Sequence, residues 1–388
     1  MRIDRLAGTG ILLGLLLTGS ACASAQQETS APQQTAAQHQ HGTKSPAPPK
    51  SLREGERFVE VSMAQAYAPA APHGGNDDYR CFLVDPGITT ASYLTGSQFL
   101  PQNAAVVHHA IFFRINPEEA AAAAKLDAST AGQGWTCFGN AGITDNSGWV
   151  ASWAPGKEET VLRSGIGYPM AAGSKLVMQV HYNLLATKPG ETDRSSMRLR
   201  VTGKTGLTPL STMILAAPIE LACGPGEQGP LCDRAAAVRD NGSRFGAKAA
   251  SIIDRLNQFC NQGRPPVPAN ETHCDYPVRE AGTVYLVGGH MHLLGRSVRV
   301  ELNPGRPGAR TLFDEPSYNF DEQGARPLAE PAAVKPGDKL RVTCTHDVGL
   351  RRRLPELRDQ PPRYVVWGEG TADEMCVGIV TLARKKPN

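Results

Sequence analysis

The chain has 388 residues, enough for two ordinary domains with full hydrophobic cores. Its 40 Lys plus Arg nearly cancel 37 Asp plus Glu, so the charge balance gives no reason to expect a nucleic-acid partner or an anionic membrane surface. Gly (40) and Pro (30) stand above ordinary usage while long runs of helix formers are few, a mix that points to many short strands joined by turns.

At the N-terminus, Arg2 and Arg5 precede the apolar run Ile11 to Leu17, and the small residues "TGSACASA" follow. This predicts an export signal over 1–25, too short to span a bilayer as a permanent helix. Cys22 is placed like the lipidated cysteine of a bacterial lipoprotein, although Gly19 stands where such sites prefer Leu. Ordinary cleavage after Ala25 is the alternative. Either route takes the mature protein out of the cytoplasm, and the lipidated form would be anchored in the bacterial envelope, its only expected contact with a membrane. Residues 26–54, opening "QQETSAPQQTAAQHQHGTKSPAPPK", hold almost no large apolar side chain and predict a disordered tether in which His39 and His41 are solvated.

Export permits disulfides. With Cys22 set aside, eight cysteines remain, Cys81, Cys137, Cys223, Cys232, Cys260, Cys274, Cys344 and Cys376, an even count that favours four bridges in an oxidising compartment. No C-x-x-C pair occurs, which argues against a zinc ribbon.

From 55 to 205 the chain reads as short apolar, β-branched or aromatic segments such as "AVVHHAIFFRI" and "SKLVMQVHYNLL", bounded by Gly, Pro and Asn. One exception, "NPEEAAAAAKLDA", predicts a short helix with an Asn-Pro start. From 206 to 388 the same pattern resumes around a helical insert at about 232–262, then returns to strands in "GTVYLVGGHMHLLGRSVRVEL", "DKLRVTCTHD" and "EMCVGIVTLA". The expected fold is mainly β: two antiparallel, jelly-roll-like β-sandwich domains in series, with a small helical insert in the second.

Ten histidines carry the chemical interest. His290 and His292 are two apart, so on a strand both imidazoles share a face and can converge on one ion. His108 and His109 are adjacent; on a regular strand they point to opposite faces, and joint ligation needs a bulge or a strand end. His181, in "MQVHYN", and Met375, in "TADEMCVG", would each read alone as core packing.

Taken together, "DDYRCF", "VVHHAIFF", "WTCFGN", "WAPG", "LVMQVHYN", "GGHMHLLG", "VTCTH" and "DEMC" resemble, in order, the copper type II, ascorbate-dependent monooxygenases, which include peptidylglycine α-hydroxylating and dopamine β-monooxygenases. The resemblance implies two copper ions per chain, in separate sites facing each other across an interdomain cleft. His108, His109 and His181 fall on the positions that bind the electron-storing copper. His290, His292 and Met375 fall on those of the copper where oxygen binds and catalysis occurs. The donor set agrees: imidazole serves both copper oxidation states, while a thioether favours Cu(I) and is rarely recruited by zinc. By the same resemblance Cys344 pairs with Cys376, next to Met375, and Cys81 with Cys137; the pairing of Cys223, Cys232, Cys260 and Cys274 stays open. The implied partners are dioxygen, ascorbate or a similar one-electron reductant, and a small-molecule substrate whose C–H bond is hydroxylated.

Several positions depart from the family pattern. Ala110 and Ile115 replace a Met and a Cys, so at least one family disulfide is missing, and Met291 stands where Thr is usual and reads as packing; Gly295 is retained. The peptide-carboxylate anchors of the amidating enzymes correspond here to Gly288, Val377 and Ile379, none of which can replace the lost polar contacts. The expected substrate is therefore small or apolar and not a peptidylglycine. Arg351 to Arg353 read as a solvated loop able to steer an anionic reductant, Trp149 and Trp153 as packing, His73 and His273 as exposed, and His346 stays outside the ligand set. The "NET" at 270 matters only in a host that glycosylates, which the leader argues against. A copper-binding or electron-transfer envelope protein without hydroxylase activity, or a partner-binding protein on the same scaffold with one site degenerate, are the alternative readings.

Overall fold

The computed structural model describes residues 47–72, 75–143, 148–185 and 190–384. The leader with Cys22, the tether histidines and His73 lie outside the described residues. The described chain is mainly β, as its composition leads one to expect, and its sheets are almost wholly antiparallel.

One sheet runs the length of the fold. Its strands, in spatial order, are Glu56–Ser62, Ser196–Thr202, Ser92–Leu100, Ile166–Met170, Thr208–Ala216, Cys376–Arg384, Gly282–Met291 and Arg326–Val334. The two halves join through a short parallel pairing of Thr208 and Pro209 with Ile166 and Gly167. Against one half packs a five-stranded sheet ordered Trp135–Thr136, Asp77–Val84, Lys175–Asn183, Val107–Ile115 and Gly148–Trp153. Against the other packs a four-stranded sheet ordered Glu271–Pro277, Lys339–His346, Gly295–Leu302 and Arg310–Glu315.

Each pair of sheets encloses its own core. Leu94, Phe99 and Leu199 face Phe112, Met178 and Val180 in the first, while Val284, Val287 and Val380 face Val298, Val300 and Val342 in the second. Most of these are the β-branched and aromatic residues that suit a pleated, half-buried surface, with Leu94, Leu199 and Met178 filling the space between them.

"NPEEAAAAAKLDA" forms a 3-10 turn, Pro117–Glu119, followed by the helix Ala120–Ala128; Asn116 and Glu119 make a capping box. The insert is a helical hairpin, Arg234–Phe245 and Ala247–Cys260, with Asp233 capping the first helix through the Ala236 amide. All eight cysteines are paired: Cys81 with Cys137, Cys223 with Cys232, Cys260 with Cys274, and Cys344 with Cys376. Four bridges of this kind belong to an extracellular or otherwise oxidising compartment. Among the described residues no helix is long and apolar enough to cross a membrane.

Two expectations need correction. Residues 47–54, assigned to the tether, lie on the fold: the Ala47 carbonyl accepts from Gln98, those of Lys50 and Ser51 from the buried Arg200, and Arg53 pairs with Glu56. A buried guanidinium needs acceptors, and this polar segment supplies them. The Arg351–Arg353 run is only partly solvated and is not a loop: Leu350–Arg353 is a short helix in which Arg352 and Arg353 are exposed, while Arg351 is buried with its guanidinium donating to the Pro361 carbonyl at 2.9 Å.

Candidate metal centre

His181 sits on the Lys175–Asn183 strand, where every interior residue is buried because both faces are covered. Leu176, Met178, Val180 and Tyr182 enter the sandwich core, and the alternate residues Val177, Gln179 and His181 point to the opposite face. His109 pairs directly across from His181, and the ladder slips between Val107 and His109. That bulge sits at His108 and removes the strict alternation, so both neighbouring imidazoles reach one point. The Nδ1 atoms of His108 and His109 are 3.1 Å apart, and those of His181 and His109 are 3.4 Å apart. The three residues form a cluster able to hold a metal ion.

Second contacts fix the ring orientation. Asp77, half-buried beside the cluster, accepts from His181 Nε2 at 2.9 Å and from the Thr371 amide at 3.0 Å, and also from the Thr371 hydroxyl. A carboxylate only accepts, so the proton of His181 is on Nε2 and the Nδ1 lone pair faces the other imidazoles. Tyr79 stacks flat on the same ring with centroids 4.0 Å apart.

His290 and His292 stand at the end of the Gly282–Met291 strand, whose pairing with Cys376–Arg384 runs to Met291 opposite Cys376. The next residue on each side is a candidate ligand, His292 on one and Met375 on the other. Gln323 donates its Nε2 to the Phe320 carbonyl, which turns Oε1 toward His290 Nδ1. His290 therefore carries its proton on Nδ1 and presents Nε2 as a lone pair. His292 donates from Nδ1 to the Asp373 carbonyl at 3.3 Å, and its Nε2 is buried with no hydrogen-bond partner among the described residues. A buried, unpaired imidazole nitrogen is costly without a ligand, and a metal ion supplies one. Met291 points the other way and is fully buried in the second core.

The Met375 loop is held by a carboxylate that the sequence did not single out. Glu374 Oε1 accepts from the amides of His292 at 2.5 Å and Met375 at 2.8 Å, and Oε2 from the Leu294 amide at 2.9 Å. Burial pushes its carboxyl up to about 8, against the three amides that favour the charged form. Next to it, Asp373 takes both arms of Arg244 from the helical hairpin, at 2.7 and 2.8 Å. The Cys344–Cys376 bridge begins one residue beyond Met375. His346 is buried and faces the Asn270 carbonyl from Nδ1.

Burial keeps the imidazoles neutral. His290 is pushed down to about 4, and His109 and His292 lie well below the ordinary histidine value, with the neighbouring imidazoles adding to the effect. Neutral imidazole is the form that ligates metal. The two ligand sets are neighbours: the His109 and His290 rings meet edge to face with centroids 5.6 Å apart, and Phe320 stacks on His108 at 4.3 Å. No open cleft separates them at this point.

His109, His290 and Met375 border a cavity of about 410 Å³. Its walls include Trp149, Trp153, Ile214, Val377 and Ile379, and Ile252 of the helical hairpin covers one side. Trp149 and Trp153 are thus cavity walls as well as packing. At Gly288 a Cβ would lie 2.7 Å from Ala325 Cα, so the backbone of residues 324–325 fills the place where an amidating enzyme carries its arginine.

Residues 269–383 match the family model described as copper type II ascorbate-dependent monooxygenase, C-terminal domain. The matched stretch contains His290, His292 and Met375, and it supports the copper-dependent family for this part of the chain. Among solved structures, an allantoicase is 12% identical, with 81% of this chain and 90% of that one covered at a TM-score of 0.20. A Paenibacillus xanthan lyase is 12% identical over 81% of this chain and 23% of its own, at 0.19, and the coconut allergen cocosin is 10% identical over 85% and 86%, at 0.15. Scores this low say nothing about function.

Proposed function

We propose that this protein is an exported copper monooxygenase that hydroxylates a C–H bond of a small substrate other than a peptidylglycine. The overall reaction takes substrate, dioxygen, two electrons from ascorbate or a similar reductant and two protons to hydroxylated product and water. One observation carries the reading: two sets of metal-ligating donors, His108, His109 and His181, and His290, His292 and Met375, lie beside one largely apolar cavity. Bound copper would supply one-electron redox chemistry toward dioxygen. The remaining work belongs to the chain. Asp77 and Gln323 fix which nitrogens carry lone pairs, Glu374 and the Cys344–Cys376 bridge hold the Met375 backbone beside that of His292, and the tryptophan and isoleucine walls exclude water. The same reading includes a lipid anchor at Cys22 in the bacterial envelope.

The test supplies copper-loaded protein with ascorbate, ¹⁸O₂ and a panel of small benzylic, allylic and alkyl compounds. The expected result is a product bearing one ¹⁸O hydroxyl, with one O₂ consumed per hydroxyl formed. Oxygen uptake matched by ascorbate oxidation, with no hydroxylated product from any member, would instead support an electron-transfer role.

A further inference from the structure

The cavity beside His290 and Met375 is lined mostly by apolar side chains, yet a lysine is among its walls. Lys157 follows the Gly148–Trp153 strand in the turn "WAPGK". It borders the 410 Å³ cavity and also a smaller one of about 40 Å³ that adjoins it, and Trp149, Ser152, Thr212 and Ile379 likewise line both. Its Nζ donates to the Ser152 carbonyl at 2.9 Å, and among the described residues no carboxylate lies within ion-pair distance. A neutral carbonyl satisfies one of three N–H donors and none of the charge. Burial accordingly pushes the ammonium down to about 8, with no opposing anion to restore it.

Buried cations in folded proteins are ordinarily paired. Arg200 is paired with Glu56 and Glu159, and Arg244 with Asp373. Lys157, half-buried, has no such pair among the described residues, and it borders the same cavity as three candidate copper ligands, His109, His290 and Met375.

We infer that Lys157 is the recognition residue for the substrate, which carries a carboxylate on a small apolar body; the inference rests on the proposed hydroxylase reading for its function, though not for its test. The carboxylate completes the ion pair that the fold leaves open. The apolar body lies against Trp149, Trp153 and Ile379 and turns a C–H bond toward His290 and Met375. A cavity of about 410 Å³ is at the small end of small-molecule sites, suited to a compact acid. The other ionisable wall group outside the ligand sets, apart from Tyr79, is Glu369, whose carboxyl burial raises to about 7, so it carries little charge below neutrality and repels an incoming anion weakly. The anchor thus differs from the Gly288, Val377 and Ile379 positions, which hold no polar group here.

The test uses copper-free protein at pH 6 and measures binding of 3-phenylpropanoate, its amide and 3-phenylpropylamine by calorimetry. The carboxylate is expected to bind about tenfold or more tighter than the amide, as a charge-assisted contact does over a neutral one. Lys157→Met should abolish that preference by bringing acid binding down to the level of the amide, and Lys157→Arg should keep it. Equal affinity for acid and amide in the parent, a preference that survives Lys157→Met, or no binding of the acid at all would each overturn the inference. Tightest binding of the amine would assign recognition to Glu369 instead and overturn it too. Because no copper is present, failure here leaves the copper reading intact, and failure to load copper leaves this result standing.

Discussion

Replacing Glu374 probes how the loop carrying Met375 is fixed to the strand end carrying His292. Its two oxygens accept three buried amides, from His292, Met375 and Leu294. A buried donor left unsatisfied costs about 1–3 kcal/mol, so Glu374→Ala, which strands all three, should cost about 3–9 kcal/mol. That is comparable to the whole stability of an ordinary domain, about 5–15 kcal/mol, and the variant should be unfolded or close to it. Glu374→Gln is the measurable case. With its carbonyl oxygen in the place of Oε1 it keeps two of the three contacts and turns an NH₂ toward the Leu294 amide, for a loss of about 1–3 kcal/mol. Equilibrium denaturation in urea, with unchanged slope and a lowered midpoint, reads this directly. A glutamine variant within about 0.5 kcal/mol of the parent would refute the role given to these hydrogen bonds, since a change that small is ordinary for a surface position.

Asp77→Asn should weaken copper at the His108, His109 and His181 site about 10- to 100-fold and leave the other site unchanged, as measured by competition with a chelator. Removing the Cys344–Cys376 bridge, which closes a loop of 32 residues, should cost about 3–4 kcal/mol and release copper first from the site that includes Met375, read by denaturation and metal analysis. Acid should destabilise the metal-free protein. His290 and His346, each depressed to about 4, and His109 and His292, depressed well below the ordinary histidine value, stay neutral in the fold and take up protons on unfolding below about 6.5. Their contribution is present above that pH and is lost as pH falls toward 4. Glu369 and Glu374, raised to about 7 and about 8, act in the opposite sense, holding protons that the unfolded chain releases. Asp78 and Asp193, also raised by burial, act with the two glutamates; the four imidazoles should still set the sign, so stability should fall between pH 6 and 5, measurable as a shift in urea midpoint. A flat profile there would contradict the neutral state assigned to these imidazoles.

Strand periodicity and composition made the sheets, the Ala120–Ala128 helix and the helical hairpin legible in the sequence, because each depends on local pattern. The possibility of joint ligation by His108 and His109 was legible only as a condition, a bulge, since adjacent residues diverge unless the ladder slips; the register change between Val107 and His109 supplies that slip. The partners that orient the rings were not legible. Asp77 is 104 residues from His181, and Gln323 is 33 from His290, so no local spacing connects them. Asp77 and Glu374 lie inside the quoted motifs "DDYRCF" and "DEMC", yet their roles come from tertiary approach, which periodicity does not encode. The boundary of the tether failed for a related reason. A polar segment with no core residues can still be ordered when a buried arginine, here Arg200, takes its carbonyls. Lys157 shows the same limit: its turn was quoted, but only the folded cavity reveals an unpaired charge.

The most direct measurement is copper bound per chain after loading and dialysis, for the protein and for its His290→Ala and His108→Ala variants. Two equivalents in the parent and about one in each variant are expected if the two donor sets each hold an ion independently. A single equivalent, lost in only one of the variants, would contradict the two-site centre and leave a protein with one working copper site.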